Sequence, residues 1–183
     1  MYHSGNQMID PDLLFEKAQL QPGMHIADLG CGRLGHIVFP GAKYVGQNGI
    51  IYAVDVRKEM LESVRKRASL DGLLNVQTVW ADLEQYGKTA IPAKNLDIGF
   101  IINVLFQSND QFAILNEAKR LLKHKARLVI VDWSKPGLSI CPSPDRMVDF
   151  HAILNWARGE GFGLQEDFDM GNWHRGLVLY KND

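Results

Sequence analysis

The chain has 183 residues, 20 of them basic and 21 acidic, for a formal net charge of −1. That balance gives no global electrostatic case for binding nucleic acid or an anionic membrane. At 46% hydrophobic and 22% charged, the composition is that of an ordinary globular protein, long enough for one sizeable core and read as a single domain over 1–183.

The first ten residues, MYHSGNQMID, lack the basic start and apolar centre of a secretory leader. The longest apolar stretch, around Ile101 to Phe106, is far shorter than the roughly 20 residues that span a bilayer. Cys31 and Cys141 make a disulfide framework unexpected, and no His/Cys pair has zinc-site spacing, so no metal is expected and a reducing cytoplasm is the default. Arg57, Lys58, Arg65, Lys66 and Arg67 cluster, but at helical spacing they read as a solvated face.

Taken in order, DPDLLFEKAQL opens a first helix at Pro11, with apolar residues at 13, 14 and 18. MHIADL is a buried strand closed by a glycine turn. A helix from Leu34 to about Val45 follows, which Pro40 and Gly41 should kink or shorten. GIIYAVDV is a second strand, and KEMLESVRKRASL an amphipathic helix with Met60, Leu61, Val64 and Ala68 on one face. NVQTVWAD and LDIGFIINVLF are the third and fourth strands. DQFAILNEAKRLL is a helix capped by Asn109 or Asp110, and RLVIVDW a fifth strand. Three prolines and no periodicity make Ser134–Pro144 a loop, and DRMVDFHAILNWARGEGF reads as the last helix. FGLQEDFDM and HRGLVLYK close the chain as a hairpin around GNW. Nearly continuous apolar strands alternating with helices predict a doubly wound, mostly parallel α/β sheet, with at least one of the final strands antiparallel.

Ligands of such sheets sit at the carboxyl ends of the strands. In IADLGCGRLGH, Gly30, Gly32 and Gly35 have G-x-G-x-x-G spacing, which alone is also met in any tight strand-to-helix turn. Asp55 ends the second strand, 20 positions after Gly35, where a carboxylate can accept both ribose hydroxyls. Asp82 follows the third strand, within reach of an adenine amino group. Asp28 lies two residues before Gly30, where it would repel a pyrophosphate and suit an ammonium. Each aspartate alone is more simply a cap or loop carboxylate; three at the ends of successive strands fit a phosphate-free, cationic nucleoside such as S-adenosylmethionine (SAM).

With these motifs in order, the chain resembles the class I SAM-dependent methyltransferases from about Asp10 to its end. IADLGCGRLGH resembles their glycine-rich first motif, YAVDV their second, WADLE their third and LDIGFIINVLF the fourth-strand motif. EAKRLLKHKARLVIVDW resembles the helix and fifth strand that follow. The resemblance implies a seven-stranded sheet with an antiparallel C-terminal strand. It implies that Asp28 and the backbone around Gly30, Cys31, Gly32 and Gly35 hold the methionine portion. Asp55 with Val56 would hold the ribose, and Asp82 with Ala81 and Leu83 the adenine. Asn103 would face the reactive methyl. Two departures stand out: Arg33 and Leu34 displace the third glycine, predicting a wider loop, and Lys123-His124-Lys125-Ala126 replaces the family's Pro-Gly-Gly turn. No Asn-Pro-Pro-Tyr follows the fourth strand, which disfavours nucleobase amino groups as acceptors.

Methyl transfer from a sulfonium chiefly needs alignment, and a base only where the acceptor must lose a proton. The weak base candidates are Asp132, at the end of the fifth strand, His36 and His151, and each also has a structural explanation. Cys31 fits the turn by its small size. Acceptor recognition is expected from Met1–Asp10 and Trp133–Pro144, with Trp133, Phe106 and Trp173 as a candidate aromatic wall. Both segments are short, which fits a small acceptor or a pocket completed by a second copy in a homodimer. Two other readings stay open: a nicotinamide-dependent oxidoreductase, and a non-catalytic SAM-binding subunit with a regulatory or assembly role.

Overall fold

A computed structural model of the protein describes residues 8–182. Helix α1 (Pro11–Lys17) starts where the sequence signals it: Pro11 opens the first turn and the Asp10 carboxylate accepts the amide of Asp12 at 2.9 Å. Strand β1 (His25–Leu29) leads to α2 (Val38–Val45), β2 (Ile50–Asp55), α3 (Lys58–Leu70), β3 (Val76–Trp80) and β4 (Leu96–Ile102). Then come α4 (Gln111–Leu121), β5 (Leu122–Trp133), α5 (Phe150–Gly159), β6 (Phe162–Met170) and β7 (His174–Lys181).

The seven strands form one sheet in the order β3-β2-β1-β4-β5-β7-β6. All neighbours pair in parallel except β7, which runs antiparallel to both β5 and β6. Strand alternation sends Ile26, Ile51, Ile98, Phe100 and Val129 to one face, under α1, α2 and α3. Ala27, Leu29, Ile101, Leu128 and Ile130 go to the other, under α4 and α5. The order reverses between β1 and β4, so the crevice at their carboxyl ends is the place for a ligand.

Four element boundaries differ from the sequence reading. Helix α2 begins at Val38 rather than Leu34, because residues 32–37 make successive turns. Pro40 then falls in the first helical turn, where its missing N–H costs nothing. The segment from Asp145 is a short 3-10 turn, Pro144–Arg146, and α5 starts only at Phe150. Its cap is Asp149, whose carboxylate accepts the amides of His151 and Ala152. Strand β5 begins at Leu122, five residues early. The pairing with β4 shifts between Leu96 and Ile98 while Lys125 takes φ 61°, so the Lys-His-Lys-Ala segment is a bulge within a strand. Strand β4 ends at Ile102, and Leu105–Gln107 is a 3-10 turn. Of the two capping candidates for α4, Asp110 does the work, accepting the Ala113 amide at 3.0 Å.

Candidate functional site

The turn after β1 is shaped by backbone geometry. Gly30 has φ 98°, and a Cβ there would lie 2.4 Å from Val104 Cγ2, so the turn must pass the end of β4 without a side chain. The amides of Gly30 and Cys31 both donate to the Val54 carbonyl, at 2.8 and 2.9 Å, tying the turn to β2. Gly32 has φ 58°, and the space its Cβ would enter is open. Cys31 is buried on the face beneath α1–α3. Gly35 does something different: it sits at φ 53° in the widened turn, with Phe39 where a Cβ would go. Close helix–strand approach is supplied by Gly41, whose Cβ would meet Ile51 at 2.9 Å and Ile26 at 3.2 Å. The third-glycine role of a dinucleotide fingerprint therefore belongs to another residue.

Asp28 and Asp55 end up on the same face of neighbouring strands, as the pairing of Asp28 with Ala53 dictates. Asp28 is 3% exposed, and among the described residues its carboxylate accepts no hydrogen bond. Burial, with the Asp55 charge adding to it, pushes its pKa up to about 7. An unpaired carboxylate at this depth calls for a cationic partner. Asp55 Oδ2 accepts the Gly32 amide at 2.9 Å and Oδ1 accepts the Arg57 amide at 2.9 Å. Each oxygen keeps a lone pair for a further donor. Val56 beside it is 55% exposed, an apolar surface next to that carboxylate.

At the end of β3, Ala81 and Leu83 are buried, and the Ala81 amide donates to the Asp55 carbonyl at 3.2 Å, which brings the two loops together. Asp82 is half-buried and holds its own turn, accepting from the Glu84 amide and the Gln85 side chain at 3.0 Å each. Asn103, buried at the end of β4 with φ 55°, donates its amide to Val131 at 2.8 Å. Asp28, Gly30, Cys31, Gly32, Asp55, Val56, Ala81, Asp82, Leu83 and Asn103 thus sit at the carboxyl ends of β1 to β4, and Gly35 stands aside.

Each of the three base candidates makes hydrogen-bond contacts within the fold. Asp132 is fully buried: its Oδ2 accepts the Leu105 amide at 2.9 Å and its Oδ1 the Trp133 amide at 2.8 Å. It fastens the 3-10 turn after β4 to β5 and does not face an open rim; burial, partly offset by those amides, raises its pKa to about 7. His36 Nε2 is 2.7 Å from the Ile9 carbonyl. His151 is exposed on α5 with Nδ1 3.2 Å from Asn155 Nδ2. In the candidate acceptor wall Trp133 is buried, Phe106 is half-buried, and Trp173 packs on Gly137 while its carbonyl accepts the Ser134 amide at 2.9 Å. Met1–Gln7 of the other acceptor segment lie outside the described residues.

One cluster went unread in the sequence. Glu117 on α4 is buried and ion-paired to Arg120 at 2.7 Å, and it accepts the amides of Gly87 and Thr89 at 2.8 and 3.1 Å. Burial opposes its ionisation, but the Arg120 guanidinium and the two amides outweigh that and hold its pKa at about 2. The pair clamps the loop that follows Asp82 onto α4. The only sequence signal was an acid and a base three apart on a helix.

Comparison with known proteins bears on the family and the fold. The chain is 37% identical over 76 residues to aklanonic acid methyltransferase DauC of Streptomyces sp. strain C5, covering 42% of this chain and 33% of the relative. It is 31% identical over 123 residues to the ubiquinone/menaquinone biosynthesis C-methyltransferase UbiE of Ectopseudomonas mendocina, covering 67% of this chain and 46% of the relative. The chain therefore spans less than half the length of these curated relatives. Among solved structures, a SAM-dependent methyltransferase from Aquifex aeolicus superimposes with a TM-score of 0.83 at 24% identity, covering 97% of this chain and 93% of that one. The [4+2]-cyclase SpnF has the same fold, with a TM-score of 0.79 at 16% identity over 96% of this chain and 81% of that one. Likeness at that level shows the class I methyltransferase fold. The family model described as a methyltransferase domain matches residues 20–156, well over half the chain, and the chain belongs to that family.

Proposed function

We propose that the protein is a SAM-dependent methyltransferase acting on a small-molecule acceptor. The observation that carries this reading is Asp28: a buried carboxylate near the end of β1 that accepts no hydrogen bond among the described residues, followed by a turn in which the space a side chain on Gly32 would enter is open. A cationic amino-acid portion answers that environment, and a pyrophosphate does not. Asp28 pairs the ammonium, Asp55 accepts the ribose hydroxyls beside Val56, and Ala81, Asp82 and Leu83 border the adenine. With its Oδ atoms engaged in its own turn, Asp82 contributes through remaining lone pairs. Asn103 lies toward the methyl.

Bound SAM supplies an already activated methyl group. What the chain must add is alignment and exclusion of water. Gly30, pressed against Val104, and Asp55, gripping Gly32, fix the turn that sets the donor's position. The structural engagement of Asp132, His36 and His151 means that no base is assigned. It also favours a second reading, a SAM-binding protein that performs no methyl transfer; the fold alone does not fix the reaction. The two are separated by incubating the protein with methyl-labelled SAM and a panel of small hydroxylated, thiol and amine acceptors. Release of S-adenosylhomocysteine (SAH) together with labelled product supports the first reading. Tight cofactor binding without turnover across the panel supports the second.

A further inference from the structure

Trp133 closes β5 and pairs across the sheet with His174, the first residue of β7. The rings are tilted by 39° with centroids 4.2 Å apart. Trp133 is 0% and His174 1% exposed, and among the described residues neither imidazole nitrogen nor the indole Nε1 has a hydrogen-bond partner. Unmade hydrogen bonds in the interior are costly, and three on one ring pair need an explanation.

Their place in the fold supplies one. The Asn103 amide, just past the end of β4, donates to Val131, so Trp133 stands two residues on at the carboxyl end of β5, with His174 one strand further across the sheet. Val104 is the residue pressed against Gly30. The pair therefore extends the rim that carries the proposed cofactor turn, one and two strands on, each step being about 4.8 Å. Apolar side chains surround it: Ile102 and Val131 on the same face, and Met170 opposite His174. Burial depresses the His174 pKa to about 4, so its ring is neutral at neutral pH, with one donor and one acceptor nitrogen.

We propose that Trp133 and His174 are specificity-determining residues of the acceptor site, anchoring one hydroxyl group of an uncharged, largely apolar acceptor. A hydroxyl is the complementary group: its oxygen accepts from indole Nε1–H and its proton goes to the unprotonated imidazole nitrogen. An anionic acceptor does not fit, because Asp28 and Asp55 lie on one face at the ends of neighbouring strands β1 and β2 and the neutral pair offers no cation. This inference rests on the methyltransferase reading.

The test is a titration of ¹⁵N-labelled, SAH-loaded protein with 1-naphthol and, separately, naphthalene, following the Trp133 Nε1–H and His174 ring resonances. The proposal predicts that 1-naphthol shifts both sets, moving Nε1–H downfield, and that naphthalene does not. Trp133→Phe, which keeps a ring and removes the donor, should weaken 1-naphthol binding by about tenfold and leave SAH affinity unchanged. Binding of 1-naphthol without those shifts, the same shifts with naphthalene, or no 1-naphthol binding each overturns it. Failure to bind SAH overturns the cofactor reading instead, and the same titration of unloaded protein then still decides the pair.

Discussion

Replacing Asp28 with Asn should strengthen the ligand-free fold and weaken cofactor binding, two effects of opposite sign from one substitution. In the unfolded chain Asp28 ionises near 3.8, whereas in the fold burial and the nearby Asp55 hold its proton until about pH 7. Between those values the unfolded chain gains an ionisation that the native state forgoes, so native stability falls as pH rises through this window and levels off above it. A shift of about three units corresponds to roughly 4 kcal/mol by pH 7, of which only a few tenths is present at pH 4. Asn does not titrate, and its own buried amide adds a constant penalty of about 1–3 kcal/mol. The decisive quantity is therefore the change with pH: relative to native protein, Asp28→Asn should gain about 3 kcal/mol between pH 4 and 7. For a chain of this length that is about 6–12 °C in Tm. Urea unfolding of both proteins at several pH values measures it. In the same variant, loss of the ammonium partner should weaken SAH binding by about tenfold to a hundredfold. A stability difference that stays flat with pH would show that Asp28 is ionised in the fold, and undiminished SAH affinity would show that it does not pair the ammonium.

Asp55→Asn keeps one acceptor oxygen but loses the charge and one of the two backbone bonds to Gly32 and Arg57, so SAH should bind about 1–3 kcal/mol more weakly by calorimetry, with a modest loss in Tm. Gly30→Ala places a methyl 2.4 Å from Val104 at φ 98°; chemical denaturation should show a loss of about 2–4 kcal/mol, only partly restored by Val104→Ala because the backbone strain remains. Glu117→Gln removes the anion from Arg120 and the Gly87–Thr89 loop and should cost about 2–3 kcal/mol at pH 7. Because Glu117 ionises near pH 2, its contribution is present above pH 4.5 and lost as pH falls toward 2, so native and variant stabilities should converge in acid.

What could be read from the sequence was what is decided locally. Asp10 before Pro11 and the strand-ending positions of Asp28 and Asp55 depend on a handful of neighbours, and they appear where their spacing placed them. The antiparallel last strand followed from two strands without a helix between them. What was missed depends on distant partners. The apolar pattern from Leu34 looked helical, but those residues fold as turns that bring Gly35 onto Phe39. The last helix, expected from Asp145, starts only at Phe150: Pro144–Arg146 is a 3-10 turn and Asp149 caps α5. Asp132 stood at the right end of β5, yet its carboxylate is engaged by amides some 26 and 27 residues earlier in the chain. Glu117 and the Trp133–His174 pair likewise become visible only when the sheet has assembled.

Calorimetric titration of the protein with SAH and with NAD decides whether Asp28, Asp55 and the turn through Gly32 receive a cationic nucleoside or a dinucleotide. One SAH should bind per chain, and NAD should not bind. NAD binding without SAH binding would contradict the cationic-nucleoside assignment.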